Sequence, residues 1–170
     1  MVDNLIYLVV VILSLVGFAV AFKIFKEKKS NKPMVCPLNG RCEQVLYSKY
    51  SKFLGIPTEV FGMLYYAVSI IGYGLLFLWP QFRTPQIISI LFLITCSAFL
   101  FSIYLTFIQA FKLKELCSWC LGSAAISIVS FLVLLTTNGV ALLSGLAREY
   151  LVSSALVFSG FLLLGFIVVV

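Results

Sequence analysis

Charge is what this sequence has least of: Asp, Glu, Lys and Arg together make up 11% of its 170 residues, against ~25% in an ordinary soluble domain. So little charge cannot cover a water-facing globule. With 62% of residues hydrophobic, the solvent of this chain is lipid. Histidine is absent altogether. That removes Ser-His-Asp and Cys-His nucleophiles, and with them His-ligated zinc and haem sites. No glycine-rich phosphate loop occurs, so nucleotide chemistry has no support, and nothing in the chain points to nucleic acid as a partner.

What the sequence does have is long uncharged runs. Residues 4–22, 60–82, 84–111, 116–147 and 150–170 contain no Asp, Glu, Lys or Arg. Each is long enough to cross a hydrocarbon core, which takes ~20 apolar residues in helical form. They predict an all-α, multi-pass protein of the cell membrane with five transmembrane helices near 5–22, 60–79, 86–111, 118–137 and 150–170, forming a single integral membrane domain over 1–170. Too little chain remains outside the spans for a separate core. No small-residue cleavage site follows the first run, so it reads as a retained span rather than a secretory signal.

The connections carry the chemistry. Segment 23–59 holds eight of the twelve basic residues and the first two cysteines. Within it 23–33 is a solvated basic linker, and Asn39 and Gly40 favour a tight turn between Cys36 and Cys42. From 43 to 54 the apolar Leu46, Tyr50, Phe53 and Leu54 recur at helical spacing among Ser48, Lys49, Ser51 and Lys52, predicting a short interfacial helix over the mouth of the bundle. Gly55 and Pro57 end it. Two prolines in the turn 79–86 make helices two and three antiparallel neighbours, with Trp79 as an interfacial anchor. Counting crossings puts the loops after spans one and three on the same side, so Cys36/Cys42 and Cys117/Cys120 share a compartment.

Cys96 is alone in mid-span and reads as a small buried hydrophobe. Cys117 and Cys120 differ. A Cys-x-x-Cys at a helix start sets its first sulfur among unpaired backbone N–H groups at the positive end of the dipole, which favours thiolate, and Lys112 and Lys114 add to this. A two-residue spacer also lets the sulfurs close a reversible disulfide. Cys36 and Cys42 can close a small ring on a tethered loop. A static staple there would stabilise little, whereas two pairs on one side suit a relay by thiol–disulfide exchange. The competing reading is a structural zinc site built from all four thiolates. A relay needs an acceptor, and without nucleotide or haem sites that acceptor is lipid-soluble. A quinone matches one disulfide in electron count and can approach Cys120 through the apolar bundle. Phe61, Tyr65, Tyr66, Phe92, Phe99 and Tyr104 are the aromatic residues from which a pocket could be lined.

These residues bear a resemblance to a known family. Cys36 and Cys42, the 43–54 segment with Ser48, Gly55-Ile56-Pro57, Phe61-Gly62 and Cys117-Ser118-Trp119-Cys120, in this order, resemble the vitamin K epoxide reductase family in its five-span prokaryotic form. The resemblance covers 36 to about 125. The DsbB-type quinone-linked oxidases look alike chemically but place their Cys-x-x-Cys before the spaced pair. The resemblance implies four helices around a quinone, ubiquinone or menaquinone, with no metal. It also implies loop cysteines that carry electrons from a thioredoxin-like protein. On this basis Cys36 meets the partner, Cys42 exchanges with Cys117, Cys120 faces the quinone, and Ser48 positions the substrate or the loop; Phe61, Tyr65 and Phe99 are expected to line the substrate site. Ala124 stands where many relatives have a tyrosine. No thioredoxin domain follows span five, so the partner is expected to be a separate protein.

Sidedness is read in two ways. The first and third loops hold ten of the twelve basic residues, leaving Arg83 and Arg148 opposite, and the positive-inside rule then places the thiols in the cytoplasm. The resemblance places them outside, in the oxidising compartment. Both readings stay open.

Overall fold

The computed structural model describes residues 2–30, 36, 42–53 and 55–136. The expected fifth span and parts of the first loop, including Asn39, Gly40 and Arg41, lie outside the described residues. What is described is helical: α1 (Val2–Lys29), α2 (Cys42–Leu46), α3 (Thr58–Leu78), α4 (Pro85–Phe107) and α5 (Ser118–Leu134). Among the described residues three helices are long and apolar enough to cross a membrane, Asn4–Lys29, Thr58–Leu78 and Pro85–Leu113, and α5 is apolar but shorter. The protein is an all-α, multi-pass membrane protein.

Helix α1 packs along α3 and α5, α5 along α4, and α4 more sparsely along α3, so the four long helices close into a ring. With 28 residues, α1 is ~42 Å long, longer than a ~30 Å hydrocarbon core. Its last turn, with Lys26, Lys28 and Lys29, therefore stands clear of the lipid tails. Helices α1 and α3 approach closely where Gly17 meets the Tyr66 ring, which leaves no room for a Cβ. The Tyr66 hydroxyl crosses the bundle to the Ser123 carbonyl and hydroxyl, each at 2.9 Å, tying α3 to α5.

Two buried clusters mark the two ends. At the far end Tyr7, Val10, Tyr73, Leu76, Leu91, Phe92 and Leu134 pack together. The Tyr73 hydroxyl meets Thr95 Oγ1 at 3.0 Å. Arg83 closes that end: it donates to the Leu76 carbonyl and to Asn4, and lies over the Tyr7 ring. The other cluster joins Ile24 of α1, Cys42, Val45 and Leu46 of α2, and Cys117. The two cysteine pairs thus lie at the same end of the bundle.

The 43–54 segment departs from the single helix its spacing predicts. Helix α2 stops at Leu46, where Ser48 Oγ donates to the Val45 carbonyl at 2.7 Å and its backbone turns extended. A 3-10 turn (Lys49–Ser51) and a hairpin follow, with β1 (Lys52–Phe53) antiparallel to β2 (Ile56–Pro57). Gly55 supplies the positive φ of 80° in the turn, a conformation costly for other residues. Leu46 and Phe53 are buried as the pattern asks, but a turn and a hairpin deliver them.

Candidate active site

Cys36 and Cys42 form a disulfide with their Cα atoms 5.9 Å apart. The Cys42 N–H donates to Cys36 Sγ at 3.1 Å. Cys42, the first residue of α2, is buried and Cys36 half-buried. The disulfide takes up two of the four thiolates that a zinc site would need. Among the described residues no group of three or more potential metal ligands is assembled.

The positions of Cys117 and Cys120 follow from how α4 ends. Its last turns widen into a π-helical segment, Ile108–Leu113, which Lys114 closes in a left-handed conformation at φ 54°. Such π segments collect at functional sites. Here the widened turn places buried Gln109 beside the next helix, where its Oε1 accepts the Cys117 N–H at 3.3 Å. Cys117, fully buried, is the N-cap of α5: its sulfur accepts the Cys120 N–H at 3.3 Å. The Cys120 thiol donates to the Cys117 sulfur at 2.7 Å. That bond, before any other influence, holds the Cys117 thiol below its ordinary pKa; the N–H groups of Cys120 and Trp119 add to it, and burial and the Glu59 carboxylate oppose it. Lys23 lies 4.0 Å above the Trp119 ring, fixing the motif against α1.

Beneath Cys120 the bundle holds a cavity of about 940 Å³, within the usual range for small-molecule sites. Cys120, Ser48, Phe61 and Tyr65 line it, as do Tyr66 and Phe92. The Tyr65 hydroxyl is buried near Ser69 and Thr95 yet meets neither in hydrogen-bond geometry, so it points into the bundle without a partner among the described residues. Phe61 stands edge-on to Phe53. Two expected lining residues are elsewhere. Phe99 is not in the wall, because its ring stacks on Phe131 at 4.4 Å; Tyr104 instead packs against Phe101. Cys96, set aside as a packing residue, does line the cavity. Leu64 and Ser97 line it while being exposed themselves, so among the described residues the cavity opens sideways between α3 and α4.

The family model described as the vitamin K epoxide reductase family matches residues 8–135. The chain belongs to that family. Membership in the vitamin K epoxide reductase family makes it a membrane thiol–disulfide oxidoreductase, and the matched region contains most of α1, helices α2 to α5, both thiol pairs and the cavity.

Sequence reasoning missed three polar residues at this site. Lys28 Nζ meets Glu59 Oε1 at 2.7 Å, with side chains 15% and 4% exposed, and donates to Ser51 Oγ at 3.2 Å. Gln109 is the third. Glu59 had a signal: it is a lone acid at the mouth of an apolar span, where an ionisable group is costly enough to suggest a task. Lys28 stands in a run of lysines, and Gln109 sits in an otherwise apolar stretch with nothing to mark its partner.

Proposed function

We propose that this family member passes electrons from a thioredoxin-like protein to a membrane quinone, ubiquinone or menaquinone, and thereby generates protein disulfides. The observation that carries the reading is spatial: Cys42 packs with Cys117 in one buried cluster, and Cys120, beside Cys117, lines the cavity. A partner thiolate attacks Cys36 and frees Cys42. The Cys42 thiolate then attacks Cys117 of an oxidised Cys117–Cys120 pair, with Cys120 as leaving group. Cys36, freed when the partner closes its own disulfide, attacks Cys42, restores the loop disulfide and expels Cys117. A thiol of low pKa leaves readily, and Cys117 has been given one.

The cavity's fit to a quinone rests on its apolar wall, on its lateral opening among the described residues, and on one buried hydroxyl without a partner among them, Tyr65 Oη. A bound quinone supplies an acceptor for the two electrons of one dithiol. Tyr65 offers its hydroxyl proton to a carbonyl, Phe61 and Phe92 flank the ring, and Ser48, whose own proton is engaged by the Val45 carbonyl, shapes the mouth.

The test uses purified protein with two electron donors, a reduced thioredoxin-like protein and dithiothreitol. Cys120→Ser should abolish quinone reduction with both. Cys36→Ser should abolish it with the protein donor and spare it with dithiothreitol. Equal loss of both activities in Cys36→Ser would contradict the relay order.

A further inference from the structure

Glu59 is the one charged side chain among the described residues that line the cavity, and the thiol relay makes no use of it. It stands in the first turn of α3, where the helix N-terminus favours a negative charge. Lys28 holds its Oε1 at 2.7 Å and is itself held by Ser51. The second oxygen, Oε2, is buried and meets no donor among the described residues. Leaving a buried carboxylate oxygen unpaired is costly, and here the carboxylate is clamped from one side with its other oxygen free. Its charge acts on both Cys117 and Cys120.

The chemistry has a matching demand. Closing a disulfide from two thiols sheds two electrons and two protons, and a quinone becoming a hydroquinone takes up two of each. The chain has no histidine, so inside an apolar cavity another group must carry the protons.

We propose that Glu59 is the proton carrier of this cavity, its free oxygen taking each proton shed by the Cys117 and Cys120 thiols and passing it to a quinone oxygen. Two S–H bonds break as the S–S bond forms. Both electrons go to the quinone, its two oxygens end as hydroxyls, and Glu59 returns to the carboxylate it began as. Lys28 is a positioning residue that keeps the carboxylate aimed. Facing Glu59 are Lys28 from α1 and Cys117 and Cys120 from the start of α5; Tyr50, Tyr65 and Tyr66 share the cavity wall. The proposal rests on the quinone reading above.

The test takes the full chain in lipid nanodiscs, with dithiothreitol as donor and ubiquinone-1 as acceptor, across pH. General acid–base groups contribute about 100-fold or more, so E59Q should lower kcat by that order with the KM for ubiquinone-1 little changed, and E59D should fall between. The double variant K28M/E59Q buries no unpaired charge and should repeat the loss, which decides the matter if E59Q alone fails to fold. A wild-type kcat in either variant overturns the proposal. A second measurement needs no quinone: the pH course of the midpoint potential of the Cys117–Cys120 couple, read by thiol labelling in glutathione buffers, should differ between wild type and E59Q. Identical pH courses overturn the proposal as well. Wild-type protein that exchanges thiols but reduces no quinone would instead sink the quinone reading, and the potential would then judge Glu59 alone.

Discussion

Cys117 owes its lowered pKa first to a neighbouring thiol. The Cys120 thiol, 2.7 Å away, donates to it and lowers its pKa, so removing that donor should raise it. In a Cys96→Ser background with the loop disulfide intact, Cys120→Ala should therefore move the pH midpoint of Cys117 modification by methyl methanethiosulfonate upward, because the ionised sulfur loses a hydrogen-bond donor. An unmoved midpoint would assign the low pKa to the backbone N–H groups alone. The four boundary cysteines were legible because cysteine chemistry is written in spacing. Glu59, Lys28 and Gln109 were harder to read because their partners lie 31, 31 and 8 residues away, and pairing at a distance depends on the bundle rather than on local pattern.

At the level of single elements, the long helices could be read directly from their uncharged runs, since a span has to satisfy its own backbone in lipid. The 43–54 segment could not. Helical spacing and a turn-plus-hairpin both deliver Leu46 and Phe53 to the bundle, and what separates them is the local competition of Ser48 for the Val45 carbonyl and the positive φ of Gly55. Helix pairs make a sharper forecast through their glycines. A Cβ at Gly17 would overlap the Tyr66 ring, which is buried and pinned to Ser123, whereas one at Gly72 meets the end of the Leu91 side chain, which can rotate. Overpacking a rigid neighbour costs ~1–3 kcal/mol. Gly17→Ala should accordingly lower the thermal midpoint in detergent clearly more than Gly72→Ala; equal shifts would mean that Tyr66 yields as easily as Leu91.

On the scale of the molecule, membrane residence was plain from composition, while the side facing the cytoplasm was not, because the lysines that set it also serve the site. Lys28 is paired with Glu59 and Lys23 is stacked on Trp119, so part of the basic surplus at the thiol end has a local use. By the positive-inside rule, Cys36, after mild reduction, should react with a membrane-impermeant maleimide only once cells are lysed; reaction in intact cells would place the thiols outside and leave the surplus to such local uses. The two ends of the bundle differ in another respect. Thiols, Glu59 and cavity mouth gather at one end, while Arg83, Asn4, Tyr7, Tyr73 and Thr95 plug the other. On the proposed relay, the hydrogen ions leaving sulfur pass through Glu59 to the acceptor at that one end. Turnover should then carry no net current through the bilayer, and the transmembrane voltage should neither drive nor restrain it.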